Sequence, residues 1–184
     1  MIKINPSKIS EVDFPEVSEL TYGDKLNLSV LKYTTNSYGT FFWENSEVIP
    51  EVHNPGYNLI FCPNDTRNYD YSGVQGYDDS TGVVTRKITV PVKRAKGKVP
   101  VFTVGMLADG DRLGMSKIHA GEDIMGTLEW ENPEQVAEAP IAEYSVRFTP
   151  YDTDNFDWSA LSGFGDNGSY GVLKTTIFIL AYPL

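Results

Sequence analysis

The sequence predicts an all-β chain of two tandem β-sandwich domains, and three observations carry that prediction. They are an internal repeat of about 87 residues, short runs of β-branched and aromatic residues, and turn-forming residues at the ends of nearly every run. The repeat is plainest where Gly39–Asn45, GTFFWEN, returns as Gly126–Asn132, GTLEWEN. It holds without a gap from Gly23-Asp24-Lys25-Leu26 against Gly110-Asp111-Arg112-Leu113 to Thr89 against Thr176. Roughly a quarter of the paired positions are identical, and loops match in length as well as strands, which is the signature of a duplicated domain.

In chain order, the first copy predicts strands near Val17–Leu20, Leu26–Leu31, Gly39–Trp43, Tyr57–Phe61, Tyr69–Ser72 and Arg86–Val92, with equivalents 87 residues later. Alternation assigns faces. Phe41 and Trp43 point inward in the first copy, as do Leu128 and Trp130 in the second. Tyr57, Leu59 and Phe61, matched by Tyr144, Val146 and Phe148, form the other inward row. Pro91 cannot donate to a ladder, so the last strand is expected to lie at an edge or to end there. No segment carries an amphipathic helix pattern, although a β-grasp arrangement with one short helix satisfies many of the same strand signals. The predicted organisation is an N-terminal arm at 1–11, a first repeat at 12–93, a basic linker at 94–98 and a second repeat at 99–184. The linker, Arg94-Ala95-Lys96-Gly97-Lys98, reads as a solvated, extended hinge; the alternative is a docking site for an acidic partner.

A formal net charge of −10 opposes binding to nucleic acid or to an anionic membrane, and no apolar run approaches the roughly 20 residues that span a bilayer. The first residues, Met1-Ile2-Lys3-Ile4-Asn5-Pro6, lack the pattern of an export signal. Cys62 is the single cysteine and faces Thr149 in the repeat, so no intrachain disulfide forms. Catalytic constellations are missing from the sequence as well. His53 and His119 are not repeat-equivalent and sit in no metal-ligand spacing, and Cys62 has no histidine partner. The expectation is a non-enzyme without cofactor or metal. Asp65, Asp70, Asp78 and Asp79, echoed by Asp152, Asp154, Asp157 and Asp166, are read as turn formers, with calcium as the alternative.

Three strings recur in order in both halves. The first copy carries Tyr22-Gly23-Asp24-Lys25-Leu26, then Gly39-Thr40-Phe41-Phe42-Trp43, then Phe61-Cys62-Pro63-Asn64-Asp65-Thr66-Arg67-Asn68-Tyr69. The second carries Asp109-Gly110-Asp111-Arg112-Leu113, Gly126-Thr127-Leu128-Glu129-Trp130 and Phe148-Thr149-Pro150-Tyr151-Asp152-Thr153-Asp154-Asn155-Phe156, with Asp109 in place of tyrosine. With these motifs the chain resembles the bacterial immunoglobulin-like repeats that occur in tandem in large extracellular proteins. The resemblance implies immunoglobulin-like sandwiches and a role in adhesion, spacing or display on a surface, with no catalysis and no fixed ligand.

Outward positions differ between the copies in a way that points to a contact. Phe42, Ile60 and Cys62 face outward by parity, where the second copy has Glu129, Arg147 and Thr149. Glu129 and Arg147 suit an ordinary cross-strand charge pair; Phe42, Ile60 and Cys62 make an apolar candidate interaction patch. The competing reading buries that patch under the N-terminal arm, including Ile2 and Ile4. The leading functional expectation is a surface-display, adhesion or spacer module, extracellular or at the cell surface, with a protein or glycan surface partner or a place in a cell-wall or virion assembly. The alternatives are a phage virion accessory protein that decorates a capsid or fibre, placed on the virion surface, and a carbohydrate-binding accessory domain. The last is favoured if exposed Tyr and Trp residues such as Tyr71 and Trp158 form a flat platform.

Overall fold

The computed structural model describes residues 5–32, 38–166 and 168–181. The fold is all-β, with several sheets, and the only helical segments among the described residues are two 3-10 turns. The chain divides into two compact units, Met1–Ala95 and Lys96–Leu184.

In the first unit the strands are β1 (Ser7–Lys8), β2 (Glu16–Val17), β3 (Leu20–Thr21), β4 (Leu31–Lys32), β5 (Gly39–Trp43), β6 (Tyr57–Pro63), β7 (Tyr69–Asp70), β8 (Tyr77–Asp78), β9 (Val83–Ile88) and β10 (Val92–Lys93). β5, β6, β9 and β8 form one four-stranded sheet in that order. β2 pairs with β4, while β3 with β10 and β1 with β7 make parallel pairs. β11 (Ala95–Lys96) lies at the division. The second unit continues with β12 (Phe102–Val104), β13 (Leu107–Ala108), β14 (Ile118–Ala120), β15 (Gly126–Trp130), β16 (Ile141–Pro150), β17 (Phe156–Asp157) and β18 (Gly171–Leu180), with a four-stranded sheet ordered β13-β18-β16-β15.

Registers coincide at the spacing read from the sequence. Trp43 pairs with Leu59 and Trp130 with Val146; Leu20 pairs with Val92 and Leu107 with Ile179; Glu16 pairs with Lys32 and Thr103 with His119. Each unit has its own buried tryptophan on the first strand of this ladder. Phe41, Trp43, Leu59 and Phe61 are core residues of the first unit, and Trp130, Tyr144, Val146 and Phe148 of the second, while Tyr57 and Leu128 are half-buried against the cores. Trp43 Nε1 donates to Ser29 Oγ at 2.8 Å, and Trp130 Nε1 to the Ser116 carbonyl at 2.9 Å, so both ring N–H groups are satisfied from the same place in the fold.

The glycine of the first motif terminates a tight turn. Gly23 and Gly110 have φ of 101° and 89°, a region in which a side chain is strained. Asp24 and Asp111 lock that turn by accepting the N–H of Thr21 and Ala108 at 2.9 and 2.8 Å.

Four predicted features differ from the structure. Leu26–Leu31 is not one strand: Leu26–Leu28 is a 3-10 turn that buries Leu26 and exposes Leu28. The N–H groups of Leu26 and Asn27 bond the carbonyls of Val48 and Ser46, a long-range pairing that outweighs the local alternation. The predicted strand Val17–Leu20 is split into β2 and β3, which pair with different partners. Arg86–Val92 stops short of Pro91, as that proline leads one to expect, but resumes beyond it: β9 ends at Ile88 and β10 begins at Val92, paired with β3. In the second unit, where Phe178 stands in place of Pro91, β18 runs unbroken through the same positions. Asn54 bridges the gap in the first unit, donating from Nδ2 to the Val90 carbonyl and accepting the Val90 N–H.

The fourth difference concerns the basic run. Lys96 is held to Asp157, and Gly97 donates to the Asp157 carbonyl at 2.9 Å, just as Ile9 in the first unit donates to Asp70. A Cβ on Gly97 would lie 2.5 Å from Trp158 Cδ2, so this stretch is packed against the second unit rather than solvated along its length. β1 and β11 are two residues each, too short to show any alternation in the sequence, and they fall where arm and linker are expected.

Candidate contact surface on the first unit

The solvent face of the four-stranded sheet in the first unit carries the candidate patch. In β5 and β6, Phe42 lies directly opposite Ile60 and Thr40 opposite Cys62; Ile60 in turn faces Thr85 on β9. Phe42 is 47% exposed, while Ile60 and Cys62 are half-buried. The inward neighbours Phe41 and Phe61 form a tilted aromatic pair, with ring centroids 4.9 Å apart. The alternation holds along the ladder: Phe41, Trp43, Leu59 and Phe61 of the inner row are buried, Tyr57 at the strand start is half-buried, and Phe42 projects from the other side. Glu44, which accepts a hydrogen bond from Asn58 Nδ2 at 3.0 Å, gives the patch a polar rim. Ile2 and Ile4, the residues predicted to cover the patch, lie outside the described residues.

At the same place in the second unit Glu129 lies opposite Arg147. The two do not close into an ion pair; the Arg147 guanidinium sits over the Tyr170 ring, 4.2 Å from its centroid. That stacking offsets part of the cost of holding a half-buried cation.

A second apolar patch escaped the sequence reading. On β16 and β18, Ile141 lies opposite Phe178, which is 78% exposed, and Leu180 is exposed nearby. Asn54, Pro91 and Lys93 occupy the matching positions of the first unit. The signal was available in the same outward parity, carried two strands further. Each unit thus has an apolar outward patch where the other carries mostly polar residues.

The acidic residues are engaged by turns. Asp65 accepts the N–H groups of Arg67 and Asn68 at 3.0 and 2.9 Å and the Asn68 side-chain amide at 2.8 Å; Asp152 does the same with Asp154 and Asn155. The Asn68 side chain, then its backbone N–H, hold the Asp65 carboxyl below its usual range. Burial pushes the Asp152 carboxyl up, but the backbone and side-chain bonds from Asn155 outweigh it and the net displacement is downward. Among the described residues, no group of three or more His, Cys, Asp or Glu is placed to hold a metal ion.

Because these carboxyls are depressed in the folded chain, their contribution to stability is fully present above the ordinary carboxylate range and is lost as pH falls through about 4 and below. Urea midpoints are therefore expected to fall between pH 6 and pH 3, and the pH dependence should be shallower in a chain carrying both Asp65→Asn and Asp152→Asn. An unchanged slope in that double variant would remove these turns from the account of acid sensitivity.

Tyr71 and Trp158 do not form an exposed platform: they are 3% and 1% exposed and belong to the cores. Both histidines are exposed. No helix is long and apolar enough to cross a membrane among the described residues. No family model, no curated protein and no solved structure matches the chain.

Proposed function

We propose that the chain is a non-enzymatic surface module of two immunoglobulin-like repeats, which displays or spaces binding faces at a cell surface and makes its contact through the first repeat. The observation that carries this reading is the exposed Phe42 paired across the ladder with Ile60, at a position where the second unit has Glu129 and Arg147. A duplicated scaffold with equivalent cores and unlike solvent faces suits recognition by surfaces, since the shared residues maintain the fold and the differing ones are free to specify partners. The Asp65 and Asp152 carboxylates are engaged by backbone N–H groups of their own turns, which suits a role in holding the fold.

Phe42→Glu tests the proposal. Phe42 lies on the solvent side, so the substitution is expected to cost the first unit no more than about 1 kcal/mol, the span of strand propensities. It is also expected to abolish cosedimentation of the purified chain with isolated cell walls of the source organism. Unfolding of the first unit would show the patch to be core, and undiminished cosedimentation would show the contact to lie elsewhere.

A further inference from the structure

The geometry points to a binding site in the first unit for a small organic cation, a primary ammonium or guanidinium on a short apolar stem. The site is a cavity of about 310 Å³ whose walls include Glu11, Val12, Asp13, Tyr38, Phe61 and Tyr71. This inference is independent of the contact through Phe42.

The first indication is an orphaned polar group. Tyr71 is 3% exposed, and its buried hydroxyl has no hydrogen-bond partner. Such a group costs roughly 1–3 kcal/mol and is uncommon in native folds, so its retention asks for a reason. The fold itself does not demand it. At the same position in the second unit, Trp158 sits against Gly97 and donates from Nε1 to the Asp152 carbonyl at 2.7 Å.

The second indication is the contrast between two cavities in corresponding places. The second unit has one of about 280 Å³ bounded by Lys98, Pro100, Val101, Asp123 and Met125. Its one carboxylate, Asp123, is already neutralised by Lys98 at 2.6 Å. In the first unit the walls carry two carboxylates, Glu11 and Asp13, and neither has an ion-pair partner among the described residues. A concavity common to both units is thus apolar and charge-balanced in one, and acidic, aromatic and unsatisfied in the other.

These groups select a cation over a neutral polyol. Two unpaired carboxylates on a chain of net charge −10 attract positive charge. Tyr38, stacked on Tyr69 with centroids 5.3 Å apart, supplies an aromatic face to hold it. The Tyr71 hydroxyl oxygen accepts an N–H, and Phe61 and Val12 line the apolar stem. The volume matches the low end of small-molecule sites, roughly 300–1,000 Å³.

The test uses the full chain and n-butylammonium chloride, with glucose as the neutral probe, followed by calorimetry and by tyrosine NMR shifts. Saturable binding of one butylammonium per chain is expected, with no glucose binding. Glu11→Gln with Asp13→Asn should weaken binding at least about tenfold, and Tyr71→Phe should weaken it severalfold while raising the melting temperature. Asp123→Asn, in the second unit, should leave affinity unchanged. Binding that survives the double carboxamide variant, two equivalent sites per chain, or glucose binding in place of butylammonium would each overturn the assignment. Tyr71→Phe also separates loss of ligand contact from loss of fold, since a variant that melts higher and binds worse is folded.

Discussion

Trp158→Ala is expected to destabilise the second unit by about 3–5 kcal/mol, the range for removing a large buried aromatic. Three losses combine at this position. Phe148 meets the indole edge-on with centroids 5.5 Å apart and Phe156 packs at 6.1 Å, so truncation opens a void beside another fully buried ring. Trp158 Nε1 satisfies the Asp152 carbonyl, which loses that donor. Gly97 closes on the ring and is left facing the void. Urea unfolding followed by the fluorescence of Trp43 and Trp130 gives the measurement, because those indoles report on the first and second units respectively. The Trp130 signal is expected to shift to lower urea while the Trp43 signal keeps its midpoint. Trp158→Phe should recover part of the loss, since a phenyl ring fills most of the volume but cannot donate to Asp152. A shift below 1 kcal/mol in Trp158→Ala would mean that this cluster contributes little to holding the unit together.

Trp158 also shows what the sequence can and cannot convey. Its offset from Tyr71 is readable, but not whether either ring is exposed: the strand predicted at Tyr69–Ser72 ends at Asp70 and its equivalent at Asp157, so both rings lie just beyond, where alternation assigns no face. Parity worked where strands are long. β5 and β6, and their counterparts β15 and β16, bury Phe41, Trp43, Phe61, Trp130, Tyr144 and Phe148 as the two-residue period requires. It failed for Leu26–Leu31, whose alternating leucines fit a strand, while the bonds that decide its form come from Val48 and Ser46, some 20 residues away. The outward position of Phe42 opposite Ile60 was readable because it depends only on parity and comparison of copies. The orphaned Tyr71 hydroxyl was not, since whether a buried donor is satisfied depends on three-dimensional neighbours. The second patch at Ile141 and Phe178 depends on β18 continuing past the position of Pro91, and the first copy, whose strand stops there, does not show that continuation.

Gly126→Ala should cost the second unit about 3 kcal/mol, toward the upper end for overpacking a filled core. A Cβ at Gly126 would lie 2.6 Å from Phe148 Cε2 and 2.7 Å from Cζ, and it would also press on the Thr149 carbonyl, a backbone atom that cannot rotate away. Gly39 meets the same obstruction, 2.5 Å from Phe61 Cε2 and 2.6 Å from Cζ, with the Cys62 carbonyl beside it. Gly110→Ala provides the contrast. A Cβ there meets nothing within 4 Å, so its cost comes from the positive φ alone and is expected to be about 1–2 kcal/mol. If the two variants melt together, steric closure at Gly126 is not what its sequence position protects. If Gly126→Ala melts well below Gly110→Ala, a double variant with Phe148→Leu should recover part of the difference, because a smaller side chain opposite relieves the ring contact. That coupling links two motifs that look separate in the sequence: the glycine opening G-T-x-x-W and the aromatic opening F-x-P-x-D are one packing unit. The ring of one lies across the bare Cα of the other on adjacent strands, and neither can change size alone.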